Sequence, residues 1–365
     1  MTARFAWHDD LEAGAFPAAA YNELLLRLPT FTPFNRLSWL RAMARHLRPG
    51  QTLHVLIAWQ DARLVLCLPL LHCRERQAGL PLRVVRHLGY PLADRIVLAV
   101  EPGQEAVLMD ALPRIRRALP HALLQLDEIL PAPASNAGLT AWGRRGSFRW
   151  ENRLICLVPE YRVCAKDRDE PAGDARYKLR RARKRSAAIG AAPRRARPDA
   201  DTMDALLARI CAVERISWKG AQDVGIFSSD NVAATTEALR ALAAEDRVRA
   251  VLLEHEGRCI SYRLGLLEQG RLYDYSLAFM PAYAALGSGR LLLDEWIRWG
   301  LDEGWQWIDA SRVRRSHSRH QLRERMSGQI EHRRWRFYSC RPGGLAFGLA
   351  YGVWQLWRRH VRRSD

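Results

Sequence analysis

Apolar residues along this chain switch between alternation of period two and stripes at helical spacing, and the switches predict the order of elements. A helix is expected over 38–47, behind the Pro33-Phe34-Asn35 entry. The runs 53–59 and 63–72 read as paired strands joined by the short polar turn Gln60-Asp61-Ala62. Both are apolar enough to be central strands rather than edges. After Gly79-Leu80-Pro81, strands are expected over 82–88 and 95–100, then a helix over 103–119 and a strand over 122–126, with the first half closing near Glu160.

The stretch 165–175 is charged, small and Pro/Gly-containing, which suits a connection. Between Arg176 and Arg197 there are ten cations and no acid, yet Leu179, Ala182 and Ile189 keep a weak apolar stripe, so a basic helix is expected at 175–190. A helix over 201–218 follows, then one over 231–244 with Ser229 as its expected cap. Three runs, 248–254, 259–267 and 272–278, are separated by His255-Glu256-Gly257 and Glu268-Gln269-Gly270 and predict an antiparallel meander. Beyond Pro281 and Gly287-Ser288-Gly289 a helix runs to Gly304. It carries Leu292, Leu293, Trp296, Ile297 and Leu301 on one face and Arg290, Asp294, Glu295, Arg298 and Asp302 on the other. A short strand over 306–309 then enters a basic segment.

Composition adds size and charge to this outline. The chain has 365 residues, 48% of them apolar, so a real core and two domains of ordinary size are within reach. The net charge is +18, and all but four of the 57 cationic residues are arginine. Base composition of the gene accounts for part of that excess; the remainder suits an anionic partner such as a nucleotide cofactor, an RNA or a membrane surface. Seven cysteines, with no CxxC and no Cys/His cluster at ligand spacing, give neither a zinc site nor a disulfide framework. No metal is expected, and a reducing cytoplasm fits this cysteine usage. The first residues carry acids where a signal peptide has a basic start, and no run reaches the length of a membrane span.

The most informative unit for chemistry is strand, Gly-containing loop, amphipathic helix, from Leu272 to Gly304. Glycines ahead of a helix let the backbone turn its first N–H groups toward an anion, and the helix N-terminus favours negative charge there. The C-terminal run 344–357 combines Gly344, Gly348 and Gly352 at spacing four with Leu345, Phe347, Leu349, Tyr351, Val353, Trp354 and Trp357, and ends in Arg358, Arg359, His360, Arg362 and Arg363. Two readings stand: a helix lying through 344–363 on an anionic membrane surface, peripheral to the inner membrane, or a terminal helix whose glycines allow close packing on the protein.

The order of elements resembles the GNAT acyltransferase fold, in which antiparallel strands lead into an R/Q-x-x-G-x-G/A loop that holds the pyrophosphate of acyl-CoA. Here the loop is Ala284-Ala285-Leu286-Gly287-Ser288-Gly289, with Ala284 in the place of Arg or Gln and Arg290 as a substitute donor. Further landmarks are Pro33-Phe34 with Ser38-Trp39-Leu40, Leu68-Pro69-Leu70, Lys178-Leu179-Arg180-Arg181, Glu214 with Ser217-Trp218-Lys219-Gly220, and Tyr273-Asp274-Tyr275 leading to Pro281-Ala282-Tyr283. Across nearly the whole chain these resemble the bacterial tandem GNAT proteins grouped as CelD/BioF2-like, related to the Fem-type peptidyltransferases. That resemblance implies a mixed α/β (α+β) fold of two GNAT-like domains, each a mostly antiparallel central sheet flanked by helices. The division it implies is an acceptor-side domain at 1–165, an acyltransferase domain at 166–342 and a C-terminal helix at 343–365. The chain departs from these proteins after the last strand, where Asp309-Ala310-Ser311 is followed by Arg312, Arg314, Arg315, His317, Arg319, His320, Arg323 and Arg325 in place of an acidic stretch and a Tyr-Lys pair.

Acyl transfer to an amine needs the amine deprotonated, the thioester carbonyl polarised and the thiolate stabilised. Glu214, Asp274 and Tyr275 are the expected catalytic candidates, although a Glu on an amphipathic helix is commonly just solvated. Leu286, Gly287, Ser288, Gly289 and Arg290 are expected to hold acyl-CoA, acetyl-CoA or longer, as co-substrate. Trp218, Lys219, Tyr273 and His317 are expected to contact the acceptor, a small-molecule or saccharide amine of envelope or exopolysaccharide chemistry. Two alternatives remain open from sequence: an aminoacyl-tRNA donor, favoured by Ala284 and the 176–197 cations, and a non-catalytic adaptor of a polysaccharide synthase complex.

Overall fold

The computed structural model describes the chain except Met1, Thr2, Ala13, Ala15, Ala78, 312–319 and Asp365, and leaves the side chains of Ala134 and 358–364 undescribed. Its elements in chain order begin with β1 (Arg4–His8), α1 (Ala18–Arg27), α2 (Leu37–Arg45), β2 (Gln51–Gln60), β3 (Arg63–Gln77), β4 (Leu80–His87) and β5 (Ala99–Val100). Next come α3 (Glu105–Ala118), β6 (Leu123–Ile129), α4 (Pro133–Gly146), β7 (Arg149–Arg162), α5 (Gly173–Ala188) and β8 (Ala192–Ala196). Then follow α6 (Met203–Ile216), α7 (Trp218–Ala221), α8 (Val232–Ala244), β9 (Val248–His255), β10 (Arg258–Glu268) and β11 (Arg271–Phe279). The chain finishes with α9 (Ser288–Glu303), β12 (Trp307–Asp309), β13 (Gly328–Tyr338) and α10 (Pro342–Ser364).

Two compact units share these elements: one holds 1–30, 47–155 and 332–365, the other 31–46 and 156–331. They interleave along the chain, an arrangement that a single cut through the sequence does not express. Each is a mostly antiparallel sheet flanked by helices. In the first unit β1, β2, β3 and β4 form an antiparallel run, and β4 then pairs in parallel with β6. The chain between β4 and β6 contains α3, as a parallel pair requires a crossover. β13 closes on β6. The second unit repeats the plan. β8, β9, β10 and β11 are antiparallel, α9 crosses over, β12 lies parallel to β11, and Glu160–Arg162 at the end of β7 pair with β12.

The cores follow from the patterning. All seven residues of β6 are buried, as are Val248–Leu253 of β9, which fits strands covered on both faces. In α9 the apolar stripe Leu292, Trp296, Ile297 and Trp299 is buried, but so is Asp294. Asp294, on the face opposite the apolar stripe, accepts from Arg183 at 2.7 Å, Arg325 at 2.9 Å and Arg298 at 3.1 Å, a set of guanidinium partners that compensates its burial. The basic helix ends at Ala188; of the remaining cations Arg194 and Arg195 belong to β8 and Arg197 follows it. The strand expected over 95–100 shortens to β5 because Ile96 instead bridges Ile129 of β6. Ser229 does not cap α8; its hydroxyl and N–H bond Asp223, and Asn231 occupies the cap position. Among the described residues no helix is long and apolar enough to cross a membrane, and no group of three or more His, Cys, Asp or Glu side chains could hold a metal ion.

Candidate functional site

In the second unit β12 pairs only with Arg271, Leu272 and Tyr273 of β11. Beyond Asp309 the chain turns to β7, with Ala310 N–H donating to Pro159 at 3.0 Å. Among the described residues, 274–279 of β11 have no β12 partner, and the two strands part beside Asp274 and Tyr275.

The register between β10 and β11 breaks at the same place. Leu264 faces Ser276 and Gly265 faces Asp274, which leaves Tyr275 as the extra residue of a β-bulge. Because neighbours on β10 point to opposite faces, Asp274 and Ser276 also lie on opposite faces, although they are two residues apart. The bulge therefore creates two separate polar constellations on one strand.

On the α6 face, Ser276 joins Glu214, Lys219 and Tyr262. Tyr262 Oη donates to the buried Glu214 carboxylate and lies 3.0 Å from Ser276 Oγ. Lys219 Nζ donates to Ser276 Oγ at 3.0 Å and to Glu214 Oε2 at 3.4 Å, while Phe227 N–H donates to Glu214 Oε1 at 3.3 Å. Burial and the adjacent carboxylate push the Tyr262 phenol well above its ordinary value, so it stays protonated and donates. The helix expected over 201–218 breaks here because Ser217 accepts from Lys219 N–H at 3.2 Å and caps α7. A Cβ on Gly220 would stand 2.2 Å from the Arg215 carbonyl, so this turn requires glycine. Trp218 is exposed at 56%, whereas Tyr273 is buried at 2%. Tyr275 packs with Phe34 and Trp39 at ring-centroid distances of 5.6 and 5.8 Å.

On the α9 face, His320 and Arg263 converge on Asp274. His320 Nδ1 accepts from Leu322 N–H at 3.1 Å, which leaves Nε2–H to donate to Asp274 Oδ2 at 3.0 Å. Arg263 Nε lies 3.2 Å from the same oxygen, and its terminal nitrogen donates to Gln321 at 2.8 Å. Full burial lowers the Arg263 pKa, and Asp274 opposes that shift. Gln321 in turn reaches the start of α9, where a Cβ on Gly289 would meet its amide nitrogen at 2.9 Å.

The loop that begins α9 is shaped by Gly287, whose φ of 71° lies in the left-handed region. It starts a 16-residue helix whose first N–H groups have no partner within the helix. Ser288 Oγ is buried and accepts from Ser261 at 2.9 Å, and Leu286 packs inward. Arg290 does not turn to the loop. It forks onto Glu324 at 2.7 and 2.9 Å, a carboxylate that Lys178 also contacts at 3.2 Å. Among the described residues Arg185 of α5 donates to the Ala285 carbonyl of the loop. Sequence spacing had no means of finding this contact, because it joins residues a hundred positions apart. His317 lies outside the described residues. The remaining sites thus sort into the Glu214/Lys219 cluster, the Asp274/His320 pair with the Leu286–Gly289 loop, and the Tyr275 aromatic cluster.

In the first unit the corresponding gap between β4 and β6 is filled by the chain itself. Ile96 N–H donates to the Glu128 carbonyl at 2.9 Å, and Leu130 N–H donates to the Ile96 carbonyl at 2.9 Å. The two units therefore repeat a plan but not an opening.

Residues 173–321 match the family model described as the acetyltransferase (GNAT) domain. No curated protein matches the sequence. Among solved structures the chain resembles FemX, with a TM-score of 0.59 and 10% identity over 88% of this chain and 96% of that one. It also resembles the C-terminal domain of a putative lysylphosphatidylglycerol synthetase from Agrobacterium fabrum, with a TM-score of 0.55 and 12% identity over 92% and 95%. A tandem GNAT protein from the clavulanic acid biosynthesis pathway has a TM-score of 0.53 and 12% identity over 92% and 98%. At such identities the likeness is one of fold: the chain has a GNAT-type acyltransferase fold.

Proposed function

We propose that the protein is an N-acyltransferase that takes an acyl-CoA in the second unit and moves its acyl group to an amine by direct attack. The observation that carries this reading is the parting of β11 from β12 beside Asp274, where the Gly287 turn starts α9. The N-terminus of α9, with Arg185 at the loop, suits a pyrophosphate. Backbone N–H groups of β11 where it parts from β12 suit the thioester carbonyl, whose oxygen gains charge as the amine attacks. The C–N bond forms, the C–S bond breaks, the amine loses one proton and the thiolate gains one. Asp274 with His320 is the proposed route for the amine proton, since this pair lies on the face that leads to the loop. Glu214 and Lys219 are proposed to fix the Ser217–Gly225 turn and the acceptor side. In the first unit the filled gap favours a supporting role.

A second reading keeps the fold and changes the donor to an aminoacyl-tRNA. It is favoured by α5, where Tyr177 is 65% exposed and Arg181 and Lys184 have no carboxylate partner among the described residues. Binding of acyl-CoA against bulk tRNA separates the two.

Contact with a membrane surface is proposed for α10. Its glycines face the protein: a Cβ on Gly344, Gly348 or Gly352 would meet Ser339, Phe148 with Tyr338, or Arg149, respectively. Leu349, Val353, Leu356 and Trp357 are each more than half exposed. The two readings of this helix are thus compatible, one for each face.

A further inference from the structure

Within the first unit, the last turn of α3, the approach to β6 and the link from β13 to α10 line an open groove of about 520 Å³. Its polar lining is Arg116, Arg117, His121, Ser339, Cys340 and Arg341, with no carboxylate. Arg116 donates to the Gly146 carbonyl, and the exposed Arg117 and Arg341 have no ion-pair partner among the described residues. Three like charges around one concavity repel until an anion enters.

His121 gives the second, independent indication. The residue is 4% exposed, and its Nδ1–H donates to the Leu119 carbonyl at 2.6 Å. The ring lines the groove with its opposite side, so Nε2 is presented there as an acceptor without a protein partner. Burial pushes its pKa down to about 4, with His72, Arg116 and Arg341 acting in the same direction, so the ring is neutral at pH 7. Guanidinium forks with one neutral acceptor select an anion that also carries a proton or hydroxyl. A phosphate monoester meets both requirements, and the first turn of the 23-residue α10 adds a favourable field.

We propose that this groove binds the phosphate group of a phosphorylated ligand, held by Arg117 and Arg341 with His121 as the acceptor. The site consists of first-unit residues alone and does not rest on the acyl-CoA reading.

Cys340 is an exposed free thiol in the lining and serves as its own reporter. Its alkylation by iodoacetamide is followed by peptide mass spectrometry in the full-length protein. The additions are inorganic phosphate, pyrophosphate, vesicles containing phosphatidylglycerol, and chloride at matched ionic strength. Saturable, several-fold protection by phosphate or pyrophosphate but not chloride, lost in an Arg117→Gln/Arg341→Gln variant with unchanged thermal stability, is the expected result. Protection by vesicles alone, lost in the same variant, assigns the phosphate to a lipid headgroup. No protection by any of them, or equal protection in the variant, overturns the proposal.

Discussion

The Lys219 ammonium lies 3.4 Å from the carboxylate of Glu214, five residues earlier in the chain, and both side chains are largely buried. This contact folds the Ser-Trp-Lys-Gly turn back over α6 and ties it to Ser276 on the sheet. Lys219→Met leaves a buried carboxylate without its cation, and such a loss costs about 3 kcal/mol or more. Glu214→Gln keeps the hydrogen-bonding shape and is expected to cost less than Glu214→Ala. Urea unfolding of the three variants checks the order; a Lys219→Met variant as stable as the wild type contradicts it.

Asp274 and His320 are assigned to the proton route, not to holding the donor. Asp274→Asn and His320→Ala are expected to lower kcat by on the order of 100-fold, within the range of general acid–base catalysis, with acyl-CoA affinity little changed. Steady-state kinetics beside a binding titration separates these effects. A fall in donor affinity with unaltered kcat would place the pair in binding instead.

His121 makes stability depend on pH. Its folded pKa, about 4, lies below the unfolded value near 6.5, so the unfolded chain binds more protons in this interval. The contribution is therefore fully present above pH 6.5 and is lost as pH falls toward 4, to the extent of about 3 kcal/mol. Thermal melts across that range are expected to be flatter for His121→Asn than for the wild type. Parallel curves would show that His121 is not the responsible group.

The exposed row on α10 predicts a surface property. Leu349→Asp with Val353→Asp is expected to abolish sedimentation with phosphatidylglycerol vesicles while leaving the melting temperature little changed, because both side chains are more than half exposed. Equal sedimentation of wild type and variant would reject a membrane role for this face.

Elements whose signals are local were legible in the sequence. The meander of β9, β10 and β11 announces itself through alternating apolar residues and Gly-containing turns, and α9 through its stripe. By contrast β13 is not predicted, because Arg333, Arg334 and Arg336 mask its alternation. In the fold these cations meet Asn152, Asp127, Gln125 and Glu151, partners supplied by distant strands. Pairing choices were equally hidden: Phe34 and Trp39 lie early in the chain yet pack on Tyr275. Asp274, Tyr275, Glu214 and Lys219 were visible as candidates by residue type and position. That a bulge at Tyr275 sends Asp274 and Ser276 to opposite faces depends on register, which periodicity does not encode.

The central claim is that the α9 turn in the second unit holds the donor. Its most direct test is the thermal stability of nuclease-treated protein with acetyl-CoA, longer acyl-CoAs or bulk tRNA, for wild type and Gly287→Val. A β-branched residue at φ 71° disfavours this turn. The account predicts a saturable rise with an acyl-CoA, about 2.7 kcal/mol at 100 times its dissociation constant, that is absent in the variant. No rise with any CoA thioester, together with a salt-sensitive rise with tRNA, would contradict it and favour aminoacyl transfer.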